Sequence, residues 1–230
     1  MKIGVIIQAR MSSKRYPSKV LTEVNDKPLL GYIIERLEFS CNYQNIVIAT
    51  SLQKSDDPIE FFCLEKGLSY FRGDLENVSL RMLQASKAND FDGFVRVNGD
   101  SPLLDPHIIN QAVSFFNDSD YDLVTNTYPR TFPVGQSVEV VRTKTFERVV
   151  EKMELPEEFE HVTKFFYNNP SDFNIYNFKN SSNLSDYRFV VDTPEDMIFF
   201  KNIISKMVNE HVNYSLDDLI NLASELDKNV

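Results

Sequence analysis

Ile3-Gly4-Val5-Ile6-Ile7 runs directly into Gln8-Ala9-Arg10-Met11-Ser12-Ser13-Lys14-Arg15-Tyr16-Pro17-Ser18-Lys19, and the junction of these two stretches decides how the rest of the chain is read. Five residues rich in β-branched side chains, with no polar alternation, suit a strand covered on both faces, as in a parallel sheet. The polar, basic stretch that follows reads as a loop. Beyond it Leu29, Leu30, Ile33, Ile34 and Leu37 recur at helical spacing. The unit is therefore strand, basic loop, helix.

The same unit recurs downstream. Ile46-Val47-Ile48-Ala49 predicts a second strand, followed by a helix opening at Asp57-Pro58, with Asp as cap and Pro in the first turn. Leu68 to Phe71 and Gly93 to Val97 read as further strands, with a helix over 77–87 between them and another opening at Asp105-Pro106. Strands alternating with helices predict an α/β fold with a mainly parallel central sheet. Later in the chain, Leu123 to Thr125, Val138 to Val141, Phe173 to Phe178 and Arg188 to Val191 read as strands, and Lys144 to Met153 as a helix. Thr193-Pro194-Glu195-Asp196 is a capped start for a helix over 197–208, with a last helix over 216–226. No repeat or linker divides the chain, so a single domain over 1–230 is expected, with a small accessory lobe near 125–180. Ligands of open α/β sheets bind beyond the carboxyl ends of the strands, which directs attention to the loops after Ile7, Ala49, Val97 and Val191.

Charge narrows the classes of partner. The 230 residues carry 24 Lys and Arg against 34 Asp and Glu, a formal charge of −10. Residues 1–22 nevertheless hold Lys2, Arg10, Lys14, Arg15 and Lys19 and no acid, so a +5 segment stands against −15 in the remainder. Such a chain has no general basic field for nucleic acid or an anionic membrane. No apolar run approaches the length needed to span a bilayer, and Gln8 and Arg10 interrupt any signal-like segment, so a cytoplasmic protein is expected. Cys41 and Cys63 fit no paired or metal-binding spacing and are expected as reduced thiols.

The basic loop contains no Gly, so it is neither a Walker A loop nor a dinucleotide fingerprint, and any phosphate must be held by side chains. Arg offers paired donors, Lys a compact charge and Ser13 a hydroxyl. The competing reading is a solvated basic loop.

The pattern Ala9-Arg10-x-x-Ser13-x-Arg15-x-Pro17-x-Lys19 resembles the signature of the sugar-acid cytidylyltransferases, which make CMP-KDO and CMP-acylneuraminates. Within that group the chain is most similar to the branch named after spore-coat polysaccharide biosynthesis. Matching blocks follow in order: Lys27-Pro28-Leu29, Phe71-Arg72-Gly73, Val97-Asn98-Gly99-Asp100-Ser101-Pro102, Pro129-Arg130-Thr131-Phe132-Pro133, Glu160-His161-Val162-Thr163 and Val191-Asp192-Thr193-Pro194.

The resemblance implies a Rossmann-like, GT-A-like nucleotide-diphospho-sugar transferase fold. It also implies CTP and a small sugar acid as substrates, Mg²⁺ as cofactor, and a homodimer as a possible assembly. Carried onto this sequence, it makes Arg10, Arg15, Lys19 and Asp100 catalytic. Gln8, Ala9, Ser13, Arg72 and Asn98 join them around the nucleotide, Arg130, Glu139 and His161 meet the acceptor, and Asp100 and Asp192 hold the metal. Mg²⁺ accepts one or two carboxylates beside phosphate oxygens and water, which agrees with that pair. Asp100 as a turn residue and Asp192 as a helix-start residue are the competing roles. His161 and Arg72 also have plain surface readings, and Glu195 and Asp196 read as acids favourable to a helix start. Ser137 stands where close relatives commonly carry an acid. The alternative functions are a nucleotidyltransferase using GTP or another NTP on a sugar phosphate, and a non-catalytic nucleotide-binding protein.

Overall fold

The computed structural model describes residues 1–40 and 45–227. Cys41 lies outside the described residues, whereas Cys63 is a buried free thiol.

The first unit is β1 (Ile3–Gln8), the basic loop, a hairpin of β2 (Glu23–Val24) and β3 (Lys27–Pro28), and α1 (Leu29–Ser40). The second is β4 (Ile46–Ser51), α2 (Asp57–Lys66), β5 (Ser69–Gly73) and α3 (Val78–Ala88). β6 (Gly93–Asn98) and α4 (Pro106–Asn117) follow, then β7 (Leu123–Thr125) and β8 (Glu139–Arg142). The chain continues through three short helices, α5 (Thr143–Val150), α6 (Pro156–Glu160) and α7 (Lys164–Asn168), to β9 (Ile175–Asn177), α8 (Pro194–Lys206) and α9 (Leu216–Asp227).

Seven strands form one sheet in the order β5-β4-β1-β6-β8-β7-β9. β5, β4, β1 and β6 are parallel neighbours, as the repeated strand–helix units require. β8 enters antiparallel between β6 and β7, and β9 pairs parallel with β7, so residues 125–180 extend the sheet and lay α5–α7 on one face. The alternation of side chains along each strand feeds two cores. Val5, Ile7, Val95 and Val97 pack with α1, α4, α8 and α9, whereas Ile6, Phe94 and Val141 pack with α3, α5 and α7. Among the described residues no helix is long and apolar enough to cross a membrane.

Two local expectations are corrected. Arg188 to Val191 does not form a sheet strand. It makes a single bridge, Arg188 to Val134, through Val134 N–H on Tyr187 O at 3.0 Å and Phe189 N–H on Val134 O at 2.7 Å, and goes no further because Val191 N–H is spent on Asp100 O at 2.8 Å. Nor does Asp57 cap α2. The N-cap position is Asp56, whose buried carboxylate makes no cap bond and instead accepts from Ser51 and from Met11 N–H at 2.7 Å. By contrast, α8 starts as the sequence predicts, with Thr193 and Asp196 bonding reciprocally across the first turn and Pro194 inside it.

Candidate active site

The carboxyl ends of β1 and β6 open onto a cavity of about 400 Å³. Gln8, Arg96 and Asn98 lie on its sheet side, the basic loop and the start of α3 border it, and Glu160 and His161 approach from α6.

The loop is braced rather than free. Ala9 N–H bonds Ala49 O at 3.1 Å, Met11 N–H is held by Asp56, and Ser18 N–H returns to Met11 O at 2.8 Å. Ser18 takes a left-handed φ of 62°, and the chain then enters the one-turn helix Lys19–Leu21, which buries Lys19. Gly99 lets the two strand ends meet: its N–H bonds Gln8 O at 2.9 Å, and a Cβ there would stand 2.8 Å from that same oxygen. These contacts favour a built site over a solvated loop.

Lys19 is the hub. Its ammonium donates to Asp100 Oδ2 at 2.9 Å and to Asp192 Oδ1 at 2.7 Å. The Val191–Asp100 backbone bond sets the two carboxylates side by side although they are far apart in sequence. Asp192 also pairs with Arg15 at 2.9 Å and Arg188 at 3.0 Å, and its own N–H is held by Asp196 at 2.8 Å. Partial burial would raise the Asp192 pKa, but Lys19, Arg15 and Arg188 outweigh it and hold the group below the usual aspartate value. Arg10 reaches Glu160 Oε1 at 3.1 Å. Each of the three loop cations expected to grip phosphate thus holds a carboxylate in the free protein.

The paired carboxylates also fit the implied metal. Asp100 and Asp192 present hard oxygen donors converging on a single point, now taken by Lys19 Nζ, and Mg²⁺ characteristically completes so small a protein set with phosphate oxygens and water. No group of three metal-ligating side chains is present among the described residues. The carboxylate pair alone would therefore be a weak site without the nucleotide.

Two buried polar atoms at the cavity lack partners, Arg81 Nε and Asn98 Oδ1. Burial lowers the Arg81 pKa to about 10, with the charge of Arg10 acting in the same direction. An orphaned donor and an orphaned acceptor beside one cavity are what a polar ligand would satisfy.

The cavity brings together Gln8, Ala9, Arg10, Ser13, Arg15, Lys19, Asn98, Asp100, His161 and Asp192. Three expected site residues lie outside its lining. Arg72 is drawn to α2 by Asp57 at 2.8 Å and by Glu60, and it also donates to the carbonyls of Ser51 and Gln53. Arg130 bonds Ser137 Oγ at 3.0 Å. Glu139 is buried, and its carboxylate accepts from Arg96, Thr163 and Tyr167. Arg96 itself escaped the sequence reading, although a cation in an apolar strand two residues before Asn98 was a usable signal.

Comparison with known proteins gives these features a context. Residues 4–223 match a family model described as cytidylyltransferase. A spore coat polysaccharide biosynthesis protein of Bacillus subtilis is 32% identical over 226 residues, spanning 94% of this chain and 92% of the relative. A solved cytidylyltransferase from Leptospira borgpetersenii superposes with a TM-score of 0.93 at 33% identity, covering 99% of this chain and 96% of the other. A CMP:2-keto-3-deoxy-manno-octonic acid synthetase, solved in complex with CTP, shares the fold with a TM-score of 0.69 at 15% identity, over 90% of this chain and 99% of that one.

Proposed function

The chain belongs to the cytidylyltransferase family, and from that premise we propose that it transfers CMP from CTP to an acidic sugar, with Mg²⁺, in the making of a cell-surface polysaccharide or glycan in the cytoplasm. The observation that carries this reading is Lys19, buried between Asp100 and Asp192 at the end of a braced basic loop.

A sugar hydroxyl oxygen would attack the α-phosphorus of CTP. The bond from that phosphorus to the bridging oxygen breaks, pyrophosphate leaves with the bonding pair, and the hydroxyl proton passes to solvent. The chain's part is positioning and charge. Arg10, Arg15 and Lys19 would exchange their carboxylate partners for phosphate oxygens, and Arg15 and Lys19 would take up the charge growing on the leaving pyrophosphate. Asn98 Oδ1 and Arg81 Nε would gain partners from the bound nucleotide. Freed of Lys19, Asp100 and Asp192 would hold Mg²⁺, which when bound supplies a hard Lewis acid toward phosphate oxygens.

Mass spectrometry of products after incubation with Mg²⁺, each of the four NTPs in turn, and a mixture of KDO-like and nonulosonic acids tests the reading. A CMP-linked sugar acid is expected with CTP. A product formed with GTP alone, or on sugar phosphates but not sugar acids, would overturn it.

A further inference from the structure

Arg96 is a cation at this cavity that the phosphate grip leaves unused. It sits on β6 two residues before Asn98, hence on the same face of the sheet, and borders the cavity. Its guanidinium is fixed from two sides: Nε donates to Gln8 Oε1 at 3.0 Å and NH1 to Glu139 Oε2 at 2.7 Å. Glu139 is its cross-strand partner on β8 and is itself locked, its other oxygen accepting from Thr163 and Tyr167 at 2.6 Å each. These contacts use Nε and NH1 and leave NH2 for a ligand.

Stability is a poor explanation for the pair. Even where its attraction exceeds the cost of burial, apolar residues of similar size would commonly stabilise the sheet as well. What the pair does achieve is a guanidinium with a fixed direction beside a ligand cavity.

Its place in the sheet indicates which ligand it meets. Asp56 draws the basic loop toward β4, on one side of β1, whereas Arg96 lies on the other side, toward β8 and toward the segment that brings in Glu160 and His161. Arg10, Arg15 and Lys19 hold Glu160, Asp192 and Asp100, whereas Arg96 touches none of these carboxylates and so stands outside the triphosphate grip. An acceptor acid lodged in the same cavity beside the triphosphate needs a cation that the phosphates do not use.

We propose that Arg96 is the specificity-determining contact for the acceptor, donating through NH2 to its carboxylate, and that Glu139 and Gln8 are positioning residues acting through Arg96. This rests on the reading of the acceptor as an acidic sugar.

The test compares the best sugar acid of the product screen with its carboxamide, in wild type, Arg96→Ala, Arg96→Lys and Glu139→Gln, with CTP affinity measured by calorimetry. Wild type should favour the acid in kcat/KM by about ten- to a hundredfold, the range of a charge-assisted hydrogen bond. Arg96→Ala should erase that preference and leave CTP affinity within about twofold, and Arg96→Lys should restore part of it. Glu139→Gln should raise KM for the acid more than it lowers kcat. An intact acid preference in Arg96→Ala, or a loss that falls on CTP affinity instead, overturns the inference while sugar-acid turnover by wild type still stands. Failure of wild type to use any sugar acid overturns the functional reading and this inference with it.

Discussion

Arg10 reaches across the cavity to Glu160, guanidinium to carboxylate at 3.1 Å, so the basic loop and α6 are tied over the space a nucleotide would enter. Both groups are substantially exposed, and an ion pair of this kind contributes roughly 0–1 kcal/mol. CTP must still displace it. Glu160→Gln is therefore expected to tighten CTP binding by up to about fivefold in calorimetry, with the gain shrinking at high salt. Weaker binding in this variant would show that Glu160 itself contacts the nucleotide.

Lys19 holds Asp100 and Asp192 and so would compete with a divalent cation bound by the pair. Lys19→Ala should weaken CTP binding, yet the nucleotide-free variant should bind Mn²⁺, followed by its paramagnetic resonance signal, more tightly than wild type. Asp100→Asn and Asp192→Asn should each remove that binding and abolish pyrophosphate release. Undiminished Mn²⁺ affinity in either would dismiss that residue as a ligand.

Acid should unfold the protein partly through Glu139. Burial alone would raise its pKa, but the charge of Arg96 and the donors from Thr163, Tyr167 and Arg96 outweigh this and hold it below the ordinary value of 4.5. A carboxylate whose folded pKa lies below its unfolded one adds stability that is complete above the unfolded value and is lost as pH falls through the folded one. Tm should thus decline as pH drops below about 4.5, and Glu139→Gln, less stable at neutral pH, should show a shallower decline. Parallel acid profiles for the two proteins would refute this assignment.

Arg36 on α1 is fully buried and donates to the carbonyls of Leu104, His211 and Tyr214, clasping the α4 and α9 approaches to one helix. Burial lowers its pKa to about 10, against the charge of Asp105, so it stays charged at neutral pH. Arg36→Met leaves three carbonyls without that donor and should cost about 3 kcal/mol or more in urea unfolding. A loss under about 1 kcal/mol would mean that water replaces the guanidinium without penalty.

Much of this architecture was legible because it is local. The β-branched run at Ile3, the helical spacing of Leu29 to Leu37 and the Thr193–Asp196 cap each declare themselves within a few residues. The loop signature likewise pointed to Lys19, and the separate blocks around Asp100 and Asp192 pointed to the two acids that Lys19 holds. What stayed hidden depends on register between distant strands. The Arg96–Glu139 pairing exists because β8 enters antiparallel beside β6, which nothing near residue 96 or 139 announces. Arg72, whose block is family-like, lies outside the cavity lining because Asp57 and Glu60, one helix earlier, claim its guanidinium. Local spacing likewise nominated Asp57 over Asp56 as the cap, whereas Ser51 and Met11 decide what Asp56 does.

The Lys19 hub also sets a timetable for the nascent chain. Lys19 is synthesised before both of its partners, its first carboxylate following 81 residues later and its second 173 residues later. The parallel strands β1, β4, β5 and β6 can be synthesised, and the basic loop laid down, while the pair of acids is still half made. Only when Asp192 arrives, steered by the cap of α8 and by Val191 docking on Asp100, does the second acid join the hub. A partial chain that ends before residue 192 would thus lack the second acid of the hub, and under the proposed function it would not yet be competent for nucleotide chemistry.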